Sequence, residues 1–272
     1  MDSRTVFYVS DGTGITAETL AHSLLTQFAT GHFREVRIPF VDTLEKAQKA
    51  RARIDASGET DDRRPLVFNT VVDPQISAEL AGSKGLVVDL FGQFLPVLEQ
   101  ELGETSARKI GRAHGIADTE KYEQRISAMN FALSHDDGVA SSYDDAEVIL
   151  LGVSRSGKTP TCLYLALHYG VRAANYPLTE DDLDGLSLPV FLRKHRNKLF
   201  GLTISAERLS QIRQQRRPDS RYASLKQCSR EIGDAEAMFQ SESVPWINTT
   251  TSSIEEIASK VLVTLGLEKH FY

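Results

Sequence analysis

The chain has 272 residues, 41% of them hydrophobic and 25% charged, which suits one large domain or two modest ones and excludes a disordered or fibrous protein. Its net charge is −6, and the acid excess lies wholly in residues 1–140, with 15 Lys+Arg against 21 Asp+Glu, while residues 141–272 carry 16 of each. No strongly basic face is implied, so nucleic acid is not an expected partner. Two cysteines, Cys162 and Cys228, are too few for a disulfide framework or a usual zinc site. The N-terminus shows no signal-peptide core, and the longest apolar stretch, residues 148–153, is far short of a membrane span, so a soluble, cytoplasmic protein with no membrane partner is expected.

In chain order, residues 5–10 (TVFYVS) read as a buried strand, because valine and aromatics crowd them. Helix formers follow over residues 16–28. A strand is expected at 36–41, a helix at 44–56, and strands at 66–72 and 85–90, each of the last two followed by a helical stretch. Strands separated by helices imply crossover connections and a parallel sheet. Residues 105–145 break the rhythm. They hold Gly111, Gly115, a helical stretch over 120–133 and the turn-like His135, Asp136, Asp137 and Gly138, and they read as a connector. Alternation then restarts: a strand at 147–151, a helix at 159–169 closed by Gly170, strands at 171–176 and 199–204, an arginine-rich helix at 206–215, a short strand at 246–248 and a helix at 253–265 capped by Ser252 or Ser253. No internal repeat stands out. The expected organisation is an N-terminal α/β domain with helical connector over residues 1–140 and a second α/β domain over 141–272.

Chemistry concentrates in one motif. Gly152, Val153, Ser154, Arg155, Ser156, Gly157, Lys158 and Thr159 fit G-x-x-x-x-G-K-[ST], the pattern of a phosphate-binding loop. Glycines let backbone amides turn in around phosphate oxygens, Lys158 supplies a point charge, and Thr159 can offer its hydroxyl to Mg²⁺. From average residue usage, chance supplies roughly 0.01 such matches in a chain of this length. The apolar run 148–151 before the motif and Pro160 in the first helical turn strengthen it. Arg155 is a phosphate clamp or a solvated loop charge. A metal-orienting or catalytic acid is sought at strand ends. Asp89 and Asp73 have that look. The cluster Glu180, Asp181, Asp182 and Asp184 follows the strand after the loop, with Asp182 the first choice, although acids there also suit a helix N-terminus. Arg208, Arg213, Arg216 and Arg217 read as lid arginines or a solvated basic helix. Ser10, Asp11, Gly12, Thr13 and Gly14 form a second strand–glycine–helix turn, in which Asp11 is a helix cap or a catalytic acid. His114, His135 and His168 show no metal-ligand spacing, and His168 is expected on a helix packed on the sheet.

Together GVSRSGKTPT, VSDGTGITAE, HGIADTEKYEQRISAMNFALSHDDG and INTTTSSIEEIA resemble the pyruvate, phosphate dikinase regulatory protein family, over essentially the whole chain. The form SGKTP resembles the bacterial branch that regulates phosphoenolpyruvate synthase; the dikinase branch tends to have serine in place of Gly157. The resemblance implies a bifunctional enzyme. One activity is an ADP-dependent serine/threonine kinase that inactivates the target. The other is a phosphorylase that uses inorganic phosphate, removes the phosphoryl group and forms pyrophosphate. Phosphoenolpyruvate synthase is the implied protein partner, phosphorylated on a threonine. The nucleotide-binding residues carry over to Gly152 through Thr159.

The expectation is therefore two Rossmann-like halves with mainly parallel sheets, the second P-loop kinase-like. Lys158 and the loop amides hold the ADP phosphates, Thr159 holds Mg²⁺, and Asp182 or Asp11 orients the threonine hydroxyl. Rival readings are the same activities on pyruvate, phosphate dikinase, a small-molecule kinase, or a non-catalytic nucleotide sensor. A homodimer remains open as the assembly.

Overall fold

A computed structural model describes residues 4–28, 32–60, 63–108, 119–136 and 142–267. The chain divides into two compact units, Met1–Ala117 and Asp118–Tyr272. In the first, β1 (Arg4–Val9), α1 (Ile15–Leu25), β2 (Phe33–Ile38), α2 (Leu44–Thr60), β3 (Leu66–Asn69), α3 (Pro74–Ala81), β4 (Leu86–Asp89) and α4 (Leu90–Leu102) alternate strictly. The strands pair in parallel in the order β2-β1-β3-β4. Side chains of β1 point alternately to two faces. Phe7 and Val9 pack with Ala47, Ala50 and Ile54 of α2 and Ile76 and Leu80 of α3, while Val6 and Tyr8 pack with Ala17, Ala21 and Leu25 of α1 and Leu90 of α4. A sheet covered on both faces needs continuous apolar strands, and β1 and β3 are buried along almost their whole length. β2 is an edge with no fully buried residue; it ends three residues earlier than the sequence reading because Pro39 lacks an N–H and Phe40 turns to φ 59°.

The second unit contains α5 (Thr119–Ser134), β5 (Val148–Gly152), α6 (Lys158–Tyr169), β6 (Ala173–Pro177), α7 (Glu180–Asp184), β7 (Leu199–Thr203), α8 (Ala206–Arg216), α9 (Leu225–Ser241), β8 (Trp246–Asn248) and α10 (Ile254–Thr264). Its strands are again all parallel, in the order β6-β5-β7-β8. Val148, Leu150, Phe200 and Leu202 face α5, α6 and α10; Ile149 and Leu151 face α8, α9 and the segment around Leu188 and Leu192. Both units are thus Rossmann-like, three-layered and doubly wound.

Three sequence expectations change. The helix at 119–134 belongs to the second unit rather than to a connector of the first, because Ala128 and Ala132 are buried against α6 and β6. A repeat does exist, at the level of topology: both units run second-first-third-fourth strand in space. The 17-residue helix α9 was not expected, although Ser224 caps it and Cys228, Ile232, Ala235, Met238 and Phe239 repeat at helical spacing. Gly111, His114, Gly115, Asp137 and Gly138 lie outside the described residues.

The second core depends on the absence of a side chain at Gly201. A Cβ there would lie 2.6 Å from Phe239 Cε2 and 2.8 Å from Trp246 Cβ. Gly201→Ala is therefore expected to destabilise the protein by about 1–3 kcal/mol, read as a lower denaturant midpoint at unchanged slope. An unchanged midpoint would contradict this packing.

Candidate functional site

In a doubly wound sheet the crevice opens at the carboxyl ends of the strands where the winding direction reverses. In the second unit that place lies between β5 and β7, and the glycine-rich loop Gly152–Gly157 leaves β5 there. Gly152 is required by close approach, since a Cβ would sit 2.4 Å from the Leu202 carbonyl oxygen and 2.6 Å from Ser156 Oγ. Gly157 heads α6 at φ 95°, a left-handed conformation that L side chains rarely adopt.

The head of α6 carries no side-chain cap. Asp73, Asp89, Thr179, Ser205, Ser224 and Ser253 cap α3, α4, α7, α8, α9 and α10 through their side chains. No side chain therefore occupies the head of α6, at the positive end of the helix dipole. Lys158 is 4% exposed, not solvated as a free loop lysine would be, and its Nζ donates to the Val153 carbonyl at 3.0 Å. Ser156 Oγ, on a residue 1% exposed, has no hydrogen-bond partner among the described residues. A buried donor without a partner is costly, and it lies inside the loop.

Three elements brace this loop from outside. Arg213 of α8 is 1% exposed; its Nη2 donates to the Ser154 carbonyl at 3.1 Å and to Glu231 Oε2 at 2.7 Å, and its Nη1 donates to the Tyr222 carbonyl at 3.0 Å. The guanidinium lies 4.1 Å from the Tyr222 ring centroid, and the Tyr222 hydroxyl meets Ser154 Oγ at 2.9 Å. After β8, Thr249 Oγ1 donates to the Ser156 carbonyl at 3.2 Å and to that of Thr203 at 2.9 Å. Leu178 N donates to the Gly152 carbonyl at 3.0 Å. Arg213 is therefore a buried strut, whereas Arg208, Arg216 and Arg217 remain exposed on α8 and its exit. Arg155, at φ 76°, is exposed.

The acids named from the sequence separate. Asp182 closes the capping box of α7: its Oδ2 accepts from Thr179 N at 2.9 Å, Thr179 Oγ1 at 2.8 Å and Tyr176 Oη at 3.1 Å. Burial and this carboxylate push the Tyr176 phenol up to about 12. Asp73 and Asp89 cap helices. Asp11 lies in the first unit and does not cap α1, which starts at the left-handed Gly14; its Oδ2 instead accepts from Val72 N at 2.8 Å, tying the end of β1 to the loop after β3. Burial raises its carboxyl, and Asp42 and Asp73 add to the effect.

The acid that does reach the loop is Asp136, which the sequence reading placed in a turn. Its Oδ1 accepts from Thr159 Oγ1 at 2.8 Å and also from Asn175 Nδ2, which lies 3.2 Å from Thr159 Oγ1. Neither spacing nor local pattern marks Asp136. It meets Thr159 because α5 packs on α6 and because Asn175 N of β6 donates to the His135 carbonyl at 3.1 Å. His135 stacks on Phe131 at 3.8 Å, and His168, on α6, stacks on Tyr164 at 4.1 Å. Cys162 and Cys228 are buried and free, and burial raises both thiols, so they are packing residues rather than nucleophiles.

Fold and site thus define a protein of two doubly wound α/β units, the second opening a lysine-bearing glycine loop at its switch point. The profile of the kinase/pyrophosphorylase family matches residues 6–262, and the chain belongs to that family. A relative from Stenotrophomonas maltophilia K279a is 60% identical over 269 residues, covering 99% of this chain and 98% of its own, and bears the name of a phosphoenolpyruvate synthase regulatory protein. One from Xanthomonas campestris pv. campestris B100 is 58% identical over the same shares and carries the same name. Among the described residues no helix is long and apolar enough to cross a membrane.

The Arg213–Glu231 pair tests the brace. Removing one partner of a buried pair leaves an uncompensated charge. Arg213→Met is expected to cost about 3–5 kcal/mol in denaturant unfolding, with part of it regained when Glu231→Gln is added. Equal stability of Arg213→Met and the parent would contradict the strut.

Proposed function

We propose that the protein is a phosphotransferase acting on another protein: an ADP-dependent serine/threonine kinase and a phosphate-dependent, pyrophosphate-forming phosphorylase. The proposed target is a threonine of phosphoenolpyruvate synthase. The observation that carries the reading is the head of α6, where uncapped amides, the buried Lys158 and the unpartnered Ser156 hydroxyl converge on one loop. The family description and the names of the two relatives support the reaction pair and the target.

In the kinase direction, the threonine oxygen attacks the β-phosphorus of ADP. The bond from that phosphorus to the bridging oxygen breaks, AMP departs and the hydroxyl proton is released. In the other direction, an oxygen of inorganic phosphate attacks the phosphothreonine phosphorus. Pyrophosphate forms and the threonine oxygen takes up a proton. Both steps load negative charge onto phosphate oxygens, and stabilising that charge is most of the catalysis in phosphoryl transfer. Lys158 leaves the Val153 carbonyl to meet a phosphate oxygen, and the loop amides hold the adjacent group. Thr159 would hold Mg²⁺, which would supply charge neutralisation for the phosphates. Asp182 is engaged in the cap of α7, and Asp11 is held by Val72 N within the first unit.

The test uses ADP labelled on the β-phosphate with purified phosphoenolpyruvate synthase, pyruvate, phosphate dikinase and a metabolite panel as acceptors. Label should pass to a threonine of the synthase. Because Lys158 is buried, Lys158→Met preserves volume better than alanine; it should lower transfer in both directions by about 10²–10³ while the melting temperature holds. A folded Lys158→Met with near-normal rate in either direction would overturn the loop as the shared site. Label on a metabolite alone, or on no acceptor, would overturn the proposed reaction.

A further inference from the structure

Asp136 raises an electrostatic problem. Thr159 directly follows Lys158 at the head of α6, where the loop amides would receive a phosphate, and its hydroxyl donates to the Asp136 carboxylate at 2.8 Å. A carboxylate and a phosphate at one helix head repel each other, and the repulsion is strongest where water is excluded. The position of Asp136 is nonetheless fixed from several sides. Asn175, 1% exposed on β6, donates its side-chain amide to Asp136, and its main-chain N–H holds the neighbouring His135 carbonyl at 3.1 Å. Ala128 and Ala132 anchor the preceding helix in the core.

A cation between the two anions turns repulsion into attraction. A hydroxyl that gives its proton to a carboxylate keeps oxygen lone pairs for a hard cation. Small divalent cations keep several waters and are held by one or two carboxylates together with substrate phosphates, rather than by an all-protein cage. The donor set here has that form: one carboxylate and one hydroxyl, with no group of three or more His, Cys, Asp or Glu suited to a metal among the described residues.

We propose that Asp136 and Thr159 are the protein half of a divalent cation site whose other half is the phosphate oxygens of a nucleoside diphosphate, with Asn175 positioning the carboxylate. The proposal rests on the reading of the loop as a phosphate cradle. Asp136 takes the part usually played by an acid at the end of a neighbouring strand, and reaches it from the helix that precedes β5. The cation binds weakly to the protein alone and tightly once the diphosphate is in place.

The test measures free Mn²⁺ by electron paramagnetic resonance, with and without saturating ADP, and ADP binding by calorimetry in EDTA. For the parent protein ADP should strengthen Mn²⁺ retention. Asp136→Asn keeps size and an acceptor for Thr159, so the fold should persist. It should weaken Mn²⁺ binding in the ADP complex by at least about tenfold, yet bind metal-free ADP as well as or better than the parent, because a repelling charge is gone. Thr159→Val should lose Mn²⁺ in the same way without tightening metal-free ADP. A purely structural role for Asp136 would weaken both ligands together. Unchanged Mn²⁺ affinity in folded Asp136→Asn, or equal losses of Mn²⁺ and metal-free ADP, would overturn the cation site alone. Failure of the parent to bind ADP under either condition would remove the nucleotide reading, and the cation site with it.

Discussion

The head of α6, which starts at a left-handed glycine with no side-chain cap, is the constraint around which the second unit is arranged. Among the described residues α2, α3, α4, α7, α8, α9 and α10 each spend a side chain on their leading amides; α6 begins instead at a left-handed glycine with no side-chain cap. Such an end is stable only if an anion, water or a tightly held loop answers it. Much of the surrounding sequence follows from holding the loop in place. Gly152 lets the chain pass beside the Leu202 carbonyl, Arg213 and Thr249 grip the Ser154 and Ser156 carbonyls, and Lys158 is parked on the Val153 carbonyl.

The first unit shows what this arrangement requires by lacking part of it. It repeats the strand order, and α1 also starts at a left-handed glycine without a side-chain cap. Yet Gly14 is followed by Ile15 and Thr16, where Gly157 is followed by Lys158 and Thr159. The turn before Gly14 contains the buried Asp11, bound to Val72 N. The geometry is shared but the lysine is not: the basic side chain beside Gly14 is Arg37 of β2, which is paired with Glu18 of α1, so a common topology does not by itself give two equivalent helix heads.

Much of the fold was legible because its signals are local. Buried parallel strands read as continuous apolar runs, Gly170 closes α6 in the left-handed conformation expected of it, and Ser253 with Glu256 forms the capping box of α10. The glycine turn at the head of α6 was legible because its residues are contiguous in the chain. Asp136 and Arg213 were not, because their roles depend on partners far away in sequence: Thr159 and Asn175 for one, Ser154 and Glu231 for the other. The division between the units was misplaced for the same reason. Residues 119–134 are mostly polar, and the few that pack on the second sheet, Ala128, Met129, Phe131 and Ala132, form no long apolar run. Asp182 had the position of a catalytic acid and the composition of a cap, and it closes the capping box of α7.

If one glycine loop serves both reactions, inorganic phosphate occupies the place of the α-phosphate of ADP, and AMP must exclude it. The decisive measurement is the initial rate of dephosphorylation of threonine-phosphorylated phosphoenolpyruvate synthase against phosphate concentration at several AMP levels. The account predicts competitive inhibition, with the apparent KM for phosphate rising in proportion to AMP while the maximal rate stays constant. A rate indifferent to AMP and ADP, at concentrations that saturate the kinase reaction, would contradict a single shared site.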